Sequence, residues 1–226
     1  MSTKPIHLIP MKRCMNSENL LDLQNWEGLP FLTLQHIRPE SSNHIPETKV
    51  TLFRDKNALY GKFSVQDCYV RCVHQGYQAN VSKDSCVEFF LKPPKSKGYF
   101  NFEFNCGGAL LCYFIQNPKK ENGKRVDYDI LSPEALKRVR RQSTLPAFIP
   151  VEITEPLFWE LAFEVPFSLI EHFTPITEES FKDTWEANFY KCGDETSHPH
   201  WISWAPLPEK NFHRPDAFGI LKFSDS

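Results

Sequence analysis

The sequence predicts an all-β fold: a two-sheet antiparallel β-sandwich of jelly-roll type, with one or two short helices in its connections. Three observations carry this. Phe is the commonest aromatic, with 19 among 226 residues, and it recurs at every second position in several segments, which is the period of half-buried strands. The 18 prolines tend to fall between apolar stretches, where proline breaks strands and forces loops. The chain is 41% hydrophobic and 14% aromatic, which is ample for a core and too apolar for wholesale disorder. A single all-β domain can hold this length, so residues 1–226 are expected to form one unit.

The alternating segments, in order, are Ala58 to Val65, Cys86 to Leu91, Tyr99 to Cys106, Phe158 to Val165, Trp185 to Tyr190 and Phe218 to Phe223. A long loop is expected from Arg38 to Glu47. Ser132-Pro133-Glu134 supplies a cap, a proline at the first helical position and an acid near the positive end, ahead of a helix over Ala135 to Gln142. Its run Lys137-Arg138-Val139-Arg140-Arg141 then reads as a solvated helix face with cations near the negative end. Pro166 to Phe173 reads as a short amphipathic turn, and Gly107-Gly108 as a bulge or turn after a strand. The inward faces are Leu59, Phe63 and Val65; Trp159, Leu161, Phe163 and Val165; and Trp185, Ala187 and Phe189. Trp159 and Trp185 are therefore core residues.

Charge and cysteine content narrow the function classes. The net charge of −2 leaves no global basic field for nucleic acid. No apolar run approaches the ~20 residues of a membrane helix, and the start lacks an apolar secretory stretch. Seven cysteines (Cys14, Cys68, Cys72, Cys86, Cys106, Cys112 and Cys192) form no C-x-x-C pair and read as reduced, small core hydrophobes. A cytoplasmic setting follows from the chain as written, and a secreted or periplasmic one if a leader has been removed.

The sharpest chemical clue is a hairpin. Cys86-Val-Glu-Phe-Phe-Leu91 and Tyr99-Phe-Asn-Phe-Glu-Phe-Asn105 flank a Pro-Pro-Lys-Ser-Lys-Gly loop. Matching their apolar faces pairs Leu91 with Phe100, Phe89 with Phe102 and Val87 with Phe104. Glu88 then stands opposite Glu103, Phe90 opposite Asn101, and Cys86 opposite Asn105. Two facing carboxylates repel, so a base, a bound cation, a shared proton or the hydroxyls of a ligand must relieve them. Lys62 on a neighbouring strand is one candidate base.

A polar sheet face edged by aromatics is a surface suited to carbohydrate, since amides and carboxylates satisfy hydroxyls while an indole covers a pyranose face. Tyr60, Lys62 and Ser64, then Glu160 and Glu164, then Glu186, Asn188 and Tyr190 extend the same kind of surface. Trp201 and Trp204 lie in a loop-like stretch, and their spacing cannot put both on one strand face, so at least one is a candidate platform. Glu88, Asn101, Glu103, Asn188, Tyr190, Trp201 and Trp204 form the candidate ligand site. Cys192, Asp194, His198 and His200 fall within nine residues, but they match no common zinc spacing, and the histidines read better as loop groups bonded to backbone carbonyls.

Three blocks resemble the family 9 carbohydrate-binding modules in their stand-alone bacterial branch. They are Lys83 to Leu91 with Gly98 to Gly108, Trp185 to Asp194 running into His198-Pro-His200 and Ser203-Trp-Ala-Pro206, and Asn211 to Phe223. Asn57 to Asp67 adds the family's second-strand pattern. The resemblance implies a β-sandwich that binds a mono- or oligosaccharide, often beside glycan-degrading enzymes, with calcium in some members. Better-known members hold the sugar between two tryptophans. One of these falls where this chain has Val81-Ser82-Lys83; Trp201 or Trp204 would supply the other, and Tyr69, Tyr77 or Tyr99 could replace the first. The expected function is non-catalytic carbohydrate binding linked to glycan breakdown. Its rivals are a glycoside hydrolase acting through Glu88 and Glu103, and a protein-interaction domain that has lost its sugar.

Overall fold

The structure is a computed structural model that describes residues 3–13, 18–22, 24–121 and 124–224; Cys14 lies outside them. Its strands are β1 (Ile6–Ile9), β2 (Phe31–Thr33), β3 (His36–Ile37), β4 (Glu47–Arg54), β5 (Ala58–Asp67), β6 (Val70–Cys72), β7 (Cys86–Lys92) and β8 (Tyr99–Asn105). They continue as β9 (Leu110–Glu121), β10 (Lys124–Ile130), β11 (Arg140–Ser143), β12 (Ile149–Ile153), β13 (Leu157–Pro166), β14 (Trp185–Cys192), β15 (Trp201–Ser203) and β16 (Gly219–Phe223). The α-helices are short: α1 (Pro133–Leu136) and α2 (Phe167–Ile170). Each alternating segment lies in a strand, save Cys106, one residue beyond β8, and Phe218, one before β16, and the loop expected from Arg38 joins β3 to β4.

A nine-stranded sheet runs β1-β16-β14-β7-β8-β9-β10, with β15 and β3 attached beside β14. A five-stranded sheet runs β11-β13-β5-β4-β2, and β12 pairs with β6. Pairing in the two large sheets is antiparallel except for β1 with β16. The two sheets meet through aromatics. Phe163 of β13 lies 5.6 Å from Phe89 and 5.4 Å from Phe104, ring centre to ring centre, and Phe63 of β5 lies 6.3 Å from Phe189. Room for Phe163 comes from its cross-strand neighbour Gly61, where a Cβ would sit 2.1 Å from the Phe163 Cζ. Trp159 and Trp185 are fully buried in this core.

The helix expected over Ala135 to Gln142 is largely absent. Ser132 does cap it, its hydroxyl accepting from the Ala135 N–H at 3.2 Å. After Leu136, however, the chain turns into β11, whose Arg140 to Ser143 pair with Glu164 to Leu161. Those pairs satisfy backbone groups on the edge of β13 that would otherwise stay open, and Arg140 gains an ion pair with Glu164 at 2.7 Å. The short helix expected after Pro166 is α2. The six described cysteines are free, and five of them are buried. No helix among the described residues is long and apolar enough to cross a membrane.

Candidate functional site

The register of β7 with β8 is the one that the apolar pattern demands: Val87 pairs with Phe104, Phe89 with Phe102 and Leu91 with Phe100. Glu88 therefore stands directly opposite Glu103 on the outer face of the nine-stranded sheet. Most of that face is covered. Phe90, Tyr190 and Asn188 are fully buried, and Phe90 and Tyr190 lie beneath residues of the segment after β15, among them Leu207, Phe212 and Phe218. The polar face stays open at a pocket of about 530 Å³. Glu88, Glu103 and Cys192 line it, with Ser82, Asp194 and Trp201 and a wall from Lys210 to His213.

Each candidate has a definite place. Asn101 is buried behind the carboxylates; its amide donates to Glu103 Oε1 at 2.7 Å while its carbonyl accepts from the Tyr113 N–H at 2.7 Å. It orients Glu103. Trp201 is half-buried at the rim, where its indole N–H donates to Asp194 Oδ1 at 2.7 Å and the Lys210 ammonium sits 3.0 Å from its ring centre. Tyr190 supports the wall from beneath, its ring 4.0 Å from that of Phe212 and its hydroxyl donating to the Phe212 carbonyl at 2.9 Å. Asn188 lies outside the pocket. Its carbonyl accepts from the Ala205 N–H at 2.8 Å and its amide donates to the Ala205 carbonyl at 3.2 Å, so both ends are engaged in pinning the chain. Trp204 is buried in the core, 5.8 Å from the Phe189 ring and packed over Gly219.

Lys62 does not relieve the paired carboxylates. It sits on the outer face of the other sheet, 3.1 Å from Glu160, which also accepts from the Ser64 hydroxyl at 2.7 Å. Tyr60, Ser64, Glu160 and Glu164 belong to that distant face too. Burial first, and then the Glu103 charge, push the Glu88 carboxyl well above the usual carboxylate range. Its neighbours are thiols: the Cys192 Sγ lies 3.3 Å and the Cys86 Sγ 3.9 Å from Glu88 Oε1. Burial pushes the Cys86 thiol up to about 12. His200 bonds the His198 carbonyl at 2.9 Å, and His198 stacks on Tyr69, so neither joins Cys192.

Pro199 and the wall from Lys210 to His213 escaped the sequence reading of the site. Their signals were the resembling segments themselves, His198-Pro-His200 for Pro199 and Asn211 to Phe223 for most of the wall, since no period marks an irregular loop as a wall. Among the described residues, the grouping of three or more His, Cys, Asp or Glu donor atoms is Cys86, Glu88 and Cys192, and two thiols in three are poor donors for a hard cation.

A two-sheet sandwich whose larger sheet opens into one acidic, indole-rimmed pocket is the architecture of a β-sandwich ligand-binding module. The model of carbohydrate-binding family 9 matches residues 17–223, and the chain belongs to that family. It is similar over 98% of its length to the whole of a crystallised Bacteroides uniformis protein named for a proposed carbohydrate-binding role (28% identity, TM-score 0.85). It also shares its fold with a family 9 module from Caldicellulosiruptor kristjanssonii in complex with glucose (13% identity, TM-score 0.60, covering 98% of each chain). The cellotriose complex from the same organism gives 13% identity and a TM-score of 0.60, covering 98% of this chain and 96% of that one. No curated protein matches the chain significantly.

Proposed function

We propose that the pocket over Glu88 and Glu103 binds a mono- or oligosaccharide without cleaving it, in the service of glycan breakdown by partner enzymes. The observation that carries this is the meeting of two opposed carboxyls with a half-buried indole, Trp201, in one open pocket. Carboxyls in pairs take the vicinal hydroxyls of a sugar, and hydroxyl donors ease the repulsion between Glu88 and Glu103 that faces them across the strands. The Trp201 ring offers the apolar wall; the exposed Lys210 ammonium must leave one ring face, giving up ~0.5–1 kcal/mol of cation–π attraction, and can then donate to hydroxyls. Glucose and cellotriose in the Caldicellulosiruptor modules support a β-glucan-type ligand.

Ser82 lines the pocket where the family's other tryptophan is expected, so the sugar is gripped by one indole and the Phe212 side of the wall rather than sandwiched. A glycan array followed by calorimetry on its best ligand tests the reading. Glu103→Gln and Trp201→Ala should each weaken that ligand at least tenfold, and aryl glycosides should release no aglycone. Steady aglycone release that Glu88→Gln abolishes would replace binding by hydrolysis. A folded parent that binds no glycan would leave the protein-interaction reading in front.

A further inference from the structure

Beneath the pocket the sheet brings together two thiols that sugar binding does not use, beside Glu88 of the pocket floor. Cys86 of β7 and Cys192 of β14 are direct cross-strand partners. Glu88, two residues from Cys86, shares its face, because side chains two apart on a strand point the same way. The two sulfurs and a Glu88 carboxylate oxygen all lie within 4.8 Å of one another. The Glu88 oxygen is 3.3 Å from the Cys192 Sγ and 3.9 Å from the Cys86 Sγ.

From these distances we infer that Cys86, Cys192 and Glu88 form a binding site for a thiophilic divalent cation of the zinc class. A tetrahedral zinc ion with bonds of about 2.3 Å to sulfur and 2.0 Å to oxygen has ligand edges of roughly 3.5–3.8 Å. The two sulfur–oxygen edges, 3.3 and 3.9 Å, bracket that range, and the sulfur–sulfur edge lies within 4.8 Å, so modest side-chain movement closes the site. A second, independent feature points the same way. Glu88 is only 3% exposed and faces Glu103, yet no Lys or Arg forms an ion pair with it among the described residues. A divalent cation would take the place between Glu88 and the two sulfurs that thiol and carboxyl protons hold in its absence.

Access and coordination number also fit. Glu88 and Cys192 line the open pocket, which gives the ion an entry path, while Cys86 closes the site from below. Three protein ligands with the fourth position turned to the pocket is the open form of a zinc site, with water or Glu103 completing it. Each thiol releases its proton to solvent as its sulfur binds the ion. Nothing else is oxidised or reduced.

The test uses the full chain, reduced, stripped with a chelator and titrated with the metal alone. One equivalent of Co²⁺ should give sulfur-to-cobalt charge-transfer absorption, and Zn²⁺ should bleach it. Cys86→Ser and Cys192→Ser should each weaken Zn²⁺ at least a hundredfold, beyond the 10–100-fold typical of outer-shell losses. Cys72→Ser, at a buried cysteine outside the cluster, should leave affinity unchanged, and Glu88→Gln tests the oxygen ligand without altering the thiols. Melting curves without metal separate a lost ligand from a lost fold. The inference is overturned if the reduced parent gives no thiolate–cobalt band, or if Cys86→Ser and Cys192→Ser, both folded, bind Zn²⁺ as the parent does. Since no sugar is present, either result leaves the carbohydrate reading to its own test.

Discussion

Trp201 and Trp204 lie three residues apart, and their surroundings set them to different tasks. The Trp201 indole is tied to Asp194 at the pocket rim with part of its ring open. Trp204 is 8% exposed and packs against Phe189. Replacing Trp201 by Ala removes ring contacts and the dry surface beside the hydrogen bonds, so affinity for the best glycan should fall by ~2 kcal/mol, roughly thirtyfold, with little change in melting temperature. Trp204→Ala should instead remove ~3–5 kcal/mol of stability through the transfer and cavity terms, leaving the folded fraction with parental affinity. Parallel measurement of affinity and thermal unfolding separates the two, and a Trp204→Ala protein that melts like the parent but binds weakly would reverse the assignment. Sequence allowed either tryptophan to be the exposed one. What decides it is Gly219, at the start of the next strand, whose missing side chain makes room for the Trp204 ring: a Cβ there would lie 2.5 Å from Trp204 Cζ3.

Within the elements, legibility followed the period of the residues. The β7–β8 register could be read in full because Val87, Phe89 and Leu91 face Phe100, Phe102 and Phe104 on a side with no polar interruption, and a one-residue slip would turn all six outward. Phe102, fully buried within ring-contact distance of Phe89 and Phe100, tests that layer: Phe102→Ala should remove ~3–5 kcal/mol in chemical denaturation, and a loss below 1 kcal/mol would mean that the layer is not packed as described. Two other strands, one in each sheet, left weaker signals. Leu110-Leu-Cys-Tyr-Phe-Ile115 of β9 is apolar on both faces, which hides the period of two. In β4 a buried Thr48 stands where an apolar residue would mark the inward side. The partner proposed for the carboxylates was misplaced for a different reason. Alternation tells which residues share a face of a strand, but not which sheet the strand joins, so Lys62 could be read toward Glu88 although it belongs to the far side of the molecule.

At the scale of the molecule, a buried polar cluster ties the two sheets together at one end. Asp67 ends β5 of the five-stranded sheet, and Lys191 belongs to β14 of the nine-stranded one; they meet at 3.3 Å with both side chains fully buried. Asp67 also accepts from His44 at 2.8 Å, the Trp159 indole at 3.0 Å and the Cys68 N–H at 3.0 Å. Lys191 reaches His200 Nε2 at 2.7 Å. An ammonium can only donate, so Nε2 keeps its lone pair and the proton rests on Nδ1, which donates to the His198 carbonyl. Burial and then the Lys191 charge hold His200 down to about 3, against an ordinary value of 6.5. Between those values the unfolded chain carries a proton on His200 that the folded chain refuses, so stability falls as pH drops from about 6.5 toward 3. The full effect is on the order of 4–5 kcal/mol at most. Asp67 adds to it at lower pH. Burial alone would raise its carboxyl, but Lys191 and His44 outweigh burial and hold it well below the usual range, so its stabilisation is present at neutral pH and lost as acid protonates it. From pH 8 to pH 5 His200 should therefore pull the melting temperature down, while Glu88, whose raised carboxyl takes up its proton more readily in the folded chain, acts in the opposite sense. His200→Gln, which keeps an acceptor for Lys191 and removes the titration, should lose less stability over this range than the parent; His7, lowered by its own burial, leaves in both a smaller contribution of the same sign as that of His200. Equal losses in parent and variant would mean that His200 takes up its proton in the folded state as readily as in the unfolded one, and that the Lys191 contact does not exclude it.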